Sequence, residues 1–293
     1  MNSSIRSKQI IIIGAVLLLV AFLFTRDIKG LVKPTEENGK MPAAGEQMTG
    51  AASTPSAAVL SIETSSIAAK NVLNKNLATD ITALENSYKG AKGAEKIEVA
   101  KQLAQKWDDV EQITPSALYL EVVAQSEPSS KTWLAAGNQF MKAFESTQDS
   151  LAQPALLQKA NTSYQNVLEK DSNNIEAKTG LGVTIVNGLG APMQGIAMLL
   201  EVVAKEPKNV KANMNLGIFS IKSGQFDKAI PRFNTVIATA PTPEAYFYLG
   251  TALENLGKNK EAVDAYLSSK KLAANPTLSS FIDKKVAELK NKN

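Results

Sequence analysis

Val210–Pro241 reads VKANMNLGIFSIKSGQFDKAIPRFNTVIATAP, and Pro243–Pro276 reads PEAYFYLGTALENLGKNKEAVDAYLSSKKLAANP. The second stretch repeats the first. Leu216-Gly217 returns as Leu249-Gly250 after 33 residues, Gly224 as Gly257, Ala229 as Ala262, Phe233 as Tyr266, and Pro241 as Pro276 with slight slippage. Upstream, Leu181-Gly182 precedes Gly217 by 35 residues and Pro207 precedes Pro241 by 34. Runs of β-branched residues with alternating polarity are absent, and Ala, Leu, Lys, Glu and Gln dominate, so the repeating body reads as helical. A glycine in the first helix of each period lets the second helix approach closely. Gly224 and Gly257 fall at the turn between them, where a positive φ is easily adopted, and Ala229 and Ala262 make the close crossing. Proline ends each period because it cannot continue a helix.

These residues resemble the tetratricopeptide repeat, a helix–turn–helix unit of 34 residues. The resemblance covers 97–276 as about five units, best formed at 210–242 and 243–276. Trp133, Ala136, Gly137 and Phe140 match a first helix, and Ala160, Tyr164 and Val167 a second, with eleven extra residues around Glu145 to Pro154. The unit at 175–208 has a longer turn at Gly188–Pro192 and Gly195 in place of the small Ala. The earliest unit departs furthest, with Leu103, Ala104 and Trp107 followed by Ser116, Leu120, Val123 and Pro128. Residues 277–293 read as a capping helix and tail, with Phe281, Ile282, Val286 and Leu289 on the stripe that covers a solenoid's last apolar face. The fold class implied is all-α, a right-handed α-solenoid with an N-terminal transmembrane helix. Its concave surface, lined by the first helices, is the part of such folds that binds peptides or helices.

The chain before the repeats changes character three times. Residues 1–8 form a short tail, and 9–25 hold the fifteen-residue run Ile10–Phe24 that contains no polar side chain. The run is short against the ~20 residues a membrane span needs, but Gln9 and Thr25 extend it and Arg6, Lys8 and Arg26 can reach the interface. A cleaved signal peptide needs a small-x-small site, which Ala21-Phe22-Leu23 does not offer. The reading is an uncleaved single-pass anchor in a bacterial inner membrane. Flanking charges are almost balanced, and a short N-terminal anchor places the body in the periplasm or otherwise outside the cytoplasm. Residues 26–59 are rich in Pro, Gly, Ala, Ser, Thr and Glu and read as a flexible linker, with a reach of roughly 25–30 Å for about 25 residues. Residues 60–96 are an amphipathic helical segment, with Ile62, Ile67, Leu73, Leu77, Ile81, Leu84 and Tyr88 spaced for one face.

Composition removes most chemistry. The 293 residues contain no Cys and no His, so thiolate nucleophiles, sulfur-held zinc, imidazole bases and the commonest metal ligand are absent. Asp108, Asp109 and Glu111 cluster without a Lys–Ser pair and read as solvated surface, and Gly188, Gly190 and Gly195 lack the strand and Lys-Ser/Thr of a phosphate loop. No catalytic residue, cofactor, metal or small-molecule substrate is expected. Net charge +4 is spread as Lys alternating with Glu and Asp, without the basic stripe and stacking aromatics of a nucleic-acid binder.

Binding is therefore expected along the first helices, through a row made of Leu134, Asn138 and Met141, Val183 and Val186, Met214, Ile218 and Ile221, and Phe247 and Thr251, with Thr179 and Glu254 in line. The row is more apolar than a solvated face. Asn138 is its single match to a carboxylate clamp, and no Lys accompanies it. Three explanations stand at this stage: internal core covered by the protein's own helix at 61–89, a groove for an apolar partner helix or peptide, and self-association through the same patch. The function expected is a membrane-anchored scaffold for protein–protein interaction or complex assembly, with a chaperone-like accessory of a translocon or maturation machine as the alternative.

Overall fold

The computed structural model describes residues 60–188, 191–273 and 275–291. The expected anchor at 9–25 and linker at 26–59 lie outside the described residues, and no described helix is long and apolar enough to cross a membrane. The described chain is all-α, with thirteen helices and no strand among those residues. They are α1 (Ile62–Lys70), α2 (Lys75–Gly90), α3 (Gly93–Asp109), α4 (Ile113–Ser126), α5 (Ser130–Ser146), α6 (Gln153–Lys170), α7 (Ile175–Gly188), α8 (Pro192–Lys205), α9 (Val210–Lys222), α10 (Phe226–Thr239), α11 (Pro243–Asn255), α12 (Asn259–Leu272) and α13 (Pro276–Lys290). Most start on a side chain that accepts an amide of the first turn: Ser61 from Thr64, Asn74 from Leu77, Asn174 from Ala177, Asn209 from Ala212, Thr242 from Ala245 and Asn275 from Leu278. Ser129 and Thr132 complete a reciprocal box at α5.

From α3 to α12 the helices form five successive hairpins, each packed on the next, and α5, α7, α9 and α11 also touch in sequence. One contact recurs inside the hairpins. A Cβ on Gly137 would lie 2.9 Å from the Tyr164 ring, on Gly217 2.7 Å from Phe233, and on Gly250 2.8 Å from Tyr266. Each ring therefore lies directly on the opposing backbone, which a side chain would hold away. In α7–α8 the aromatic is replaced by Leu199, and in α3–α4 Ser116 occupies the crossing and donates to the Ala104 carbonyl at 2.8 Å. The eleven extra residues between Gly137 and Ala160 are accommodated locally: eight lengthen α5 and α6 relative to α9 and α10, and three lengthen the connecting loop.

The turns inside the hairpins share one geometry. Gly224 and Gly257 both have φ +72°, and the amide of the next residue returns to a carbonyl five back, Gln225 to Ser220 and Lys258 to Leu253. The earliest hairpin makes the same turn without glycine: Glu111 has φ +58°, and Gln112 returns to Trp107. Glu111 thus occupies the glycine position of a Schellman end, at the cost of a left-handed conformation that L-residues avoid. Glu111→Gly is expected to stabilise the protein by about 0.5–1 kcal/mol, the relief of strain exceeding the added chain entropy. An unchanged or lowered denaturant midpoint would show that this turn carries no strain.

The segment at 60–96 is not one helix. Its chain breaks after Lys70, Asn74 caps α2, and α3 begins at Gly93, so the segment holds α1, α2 and the start of α3. The two short helices are joined by Glu85, 8% exposed, which accepts from the Ser66 hydroxyl and from Lys70 Nζ at 2.6 Å. Paired burial of this kind is costly to break on one side, because the remaining charge or acceptor loses its partner. Helix α1 packs on α4 and α2 on α3, with Ile81 fully buried against the cluster of Leu103, Trp107 and Tyr119. Of the three explanations for the first-helix row, cover by 61–89 does not match these contacts, since α1 and α2 extend the N-terminal end of the stack. At the other end Ile282, Val286 and Leu289 of α13 bury against α12, whereas Phe281 of the expected stripe stays 47% exposed.

Candidate binding surface

The residues of the expected row fall into three environments. Met141 and Val183 are each 2% exposed within the central core, so they line no accessible surface in this conformation. Leu134 and Val186 are half-buried and pack on the edge of that core. Met214, Ile218 and Ile221 are half-buried around Ala229, Phe233 and Ala252, at the joint of α9, α10 and α11. Phe247 sits among Tyr248, Tyr266 and Phe281, with ring centroids 5.9, 5.5 and 6.0 Å away. Thr251 turns its hydroxyl back to the Phe247 carbonyl at 3.1 Å. Thr179 is buried and bonded to the Ile175 carbonyl, and Glu254 accepts from Tyr266 at 2.7 Å and from Lys285 of α13 at 2.8 Å.

Asn138 is occupied within the fold. Its Oδ1 accepts from the Tyr164 hydroxyl at 2.9 Å and its Nδ2 donates to Glu176 Oε1 at 2.7 Å. Burial pushes the Tyr164 hydroxyl well above the ordinary phenol range, with Glu176 and Glu145 adding to the shift, so the ring acts as a neutral donor. The amide thereby links α5, α6 and α7 and offers no free clamp.

Two structural residues were not singled out by the repeat pattern. Gly180 also lies against the Tyr164 ring, and a Cβ there would stand 2.2 Å from it. The signal was present as a second glycine two positions before Gly182, but nothing local says that a ring from the preceding unit must pass there. Asp108, expected as solvated surface, accepts from Gln139 Nε2 at 2.7 Å and Lys142 Nζ at 2.9 Å, tying α3 to α5. The Lys142 ammonium, and then the Gln139 amide, hold its carboxyl below the usual carboxylate range. Among the described residues no group of three or more metal-ligating side chains converges.

Helix pairs stacked on their neighbours, three of the five with a ring set on a glycine, define a helical-repeat protein. Residues 221–277 match the family model described as tetratricopeptide repeat, so over that stretch the chain carries this repeat. The match runs from the end of α9 to the start of α13. Among solved structures, a crystal structure of MamA protein is 21% identical with a TM-score of 0.45, covering 61% of this chain and 92% of its own. MamA 41-end from Desulfovibrio magneticus RS-1 is 20% identical with a TM-score of 0.46, covering 62% and 97%. YrrB, described as a TPR protein with an unusual peptide-binding site, is 15% identical with a TM-score of 0.43, covering 64% and 91%. Similarity at this level bears on neither partner nor site. The curated proteins contain no match to this chain.

Proposed function

We propose that this chain is a non-enzymatic scaffold that holds a protein or peptide partner along the first helices of its repeats, from α5 through α7 and α9 to α11. The observation that supports the reading is a row of apolar residues that the core leaves partly exposed. Leu134, Val186, Met214, Ile218 and Ile221 are apolar, half-buried and spread over three consecutive first helices, while α1 and α2 pack at the end of the stack. Spaced apolar anchors of this kind suit an amphipathic helix or an extended apolar peptide. The same proposal places the chain in a bacterial inner membrane through 9–25, with the repeats outside the cytoplasm. The fifteen-residue apolar run at Ile10–Phe24 supports that placement.

The full-length chain is expected in the membrane fraction, where crosslinking should recover one stoichiometric partner. Met214→Lys and Ile218→Lys are expected to abolish that capture while lowering stability by no more than about 1 kcal/mol, because a lysine on a half-buried helix face runs its stem along apolar surface and keeps its charge in water. A folded variant that still captures the partner at the level of the unaltered chain sinks the row as the binding surface.

A further inference from the structure

The chain has 29 lysines and three arginines, and Arg232 is the sole arginine among the described residues. It stands in α10 immediately after Pro231, a proline inside the helix, where the missing amide and the ring both work against helical geometry. A local rule broken in this way is most informative when the same residues line a cavity, as they do here. Val203, Pro207, Asn213, Lys228, Pro231, Arg232 and Thr235 line a solvent-open cavity of about 450 Å³ between α8, α9 and α10, and none of them is acidic.

The arginine is held in place from behind. Asn213 is 1% exposed, and its Nδ2 donates to the carbonyls of Pro207 and Asn209, both at 2.9 Å. Its Oδ1 therefore faces α10 and accepts from Arg232 Nη1 at 3.1 Å. A guanidinium carries five N–H donors, and Asn213 is its one hydrogen-bond acceptor among the described residues. No Asp or Glu there lies within salt-bridge distance of it, although six lysines of the same residues have carboxylate partners. Lys228 adds a second cation on the same wall, tethered to Gln225 Oε1 at 2.7 Å. A guanidinium oriented by a locked amide, with free donors beside a cavity that holds no negative charge, is a preorganised receptor for a planar oxyanion. Val203, Pro207 and Pro231 supply apolar walls for the carbon atoms that carry it.

We propose that this cavity binds a carboxylate of a partner polypeptide, with Arg232 as the forked donor, Asn213 as its positioning residue and Lys228 as a second cation. The site shares no residue with the first-helix row, so failure of the scaffold reading leaves it standing, and its own failure leaves that reading intact.

The test uses the full-length chain labelled with [15N]arginine, whose three Nε–H resonances are assigned by Arg232→Lys. Three probes are titrated at equal ionic strength: acetyl-Ala-Glu-Ala amide, which offers a side-chain carboxylate; acetyl-Ala-Ala-Ala, which offers a terminal one; and inorganic phosphate. A saturable shift of the Arg232 resonance with either peptide, while Arg6 and Arg26 stay in place, is expected, and the responding peptide identifies the source of the carboxylate. Calorimetry should show that peptide bound at least tenfold more weakly by Arg232→Lys, which keeps the charge and loses the fork. Lys228→Gln, at an exposed helix position, should weaken it about threefold with folding unaffected, and serves if the arginine variant does not fold. An Arg232 resonance that moves no further than Arg6 and Arg26 overturns the proposal. So does phosphate binding as tightly as the peptides, or peptide affinity indifferent to both substitutions.

Discussion

Gly180→Ala is expected to destabilise the protein by about 3 kcal/mol, a result opposite in sign to the same change in an open helix. In an exposed helix interior, alanine is better than glycine by roughly 1 kcal/mol. Position 180 is not open. A Cβ there would lie 2.2, 2.4 and 2.6 Å from three atoms of the Tyr164 ring, contacts that van der Waals radii do not permit. The ring has little room to shift, because a Cβ on Gly137 would also lie 2.9 Å from it and Asn138 holds its hydroxyl. Tyr164 is 0% exposed, so α7 must move away from α6 to admit the methyl group. Overpacking of this kind costs about 1–3 kcal/mol and sometimes more, and here it must also overcome the propensity gain. Urea unfolding followed by circular dichroism measures the difference. Gly90→Ala, at the end of α2 with open space around it, is the matched control and should be close to neutral. In a Tyr164→Leu background the Gly180 penalty should fall by more than half, since the atoms that clash are gone. Equal penalties in both backgrounds would mean that the ring is not what position 180 meets.

Phe233→Ala is expected to cost about 3–5 kcal/mol, the range for deleting a fully buried aromatic ring. Phe233 is 0% exposed, lies on Gly217 and stacks on Tyr248 of the next hairpin with centroids 5.7 Å apart and planes 15° from parallel. The core at this joint is small. Only Ala229 and Ala252 are buried with it, and the half-buried Met214, Ile218, Ile221, Ile230 and Leu249 lean on them. The space left by the ring lies at the centre of these contacts, and the loss grows with how much of it stays unfilled. Stability in a repeat array is close to a sum of units and nearest-neighbour joints, so the loss should be local. Native-state hydrogen exchange should show α9 to α13 losing protection while α3 to α6 keep theirs. A loss below 1 kcal/mol would show that the ring does not hold this joint together. The same variant bears on the scaffold reading, since Ile218 and Ile221 stand on the cluster that Phe233 centres.

Much of this protein was legible before any coordinates. The helical character, the phase of the repeat and the turns at Gly224 and Gly257 were all local signals, written in glycine, alanine and aromatic positions that recur after 33 residues. Gly217 with Gly250 and Phe233 with Tyr266 could be aligned from the sequence as recurring positions, whereas only the packing shows that each ring lies on its glycine. The surface was much less legible. Leu134, Met141, Val183 and Ile218 look alike as apolar residues on first helices, yet two are buried and two are half-exposed.

By itself, then, the sequence determined the helical character, the repeat period and the turns at Gly224 and Gly257, since those follow from chain periodicity and side-chain size. Only the tertiary structure decided which stripe of each first helix stays open, because that depends on how far each hairpin is rotated against the next, a sum of long-range contacts that no period encodes. It also decided that Tyr164 reaches Gly180 in the following unit, that Asn138 is consumed by Tyr164 and Glu176, and that α1 and α2 pack at the end of the stack rather than over the row. Glu111 shows the boundary between the two. The turn it occupies was set by the packing of α3 on α4, which held the backbone at a positive φ even where the residue best suited to it is missing.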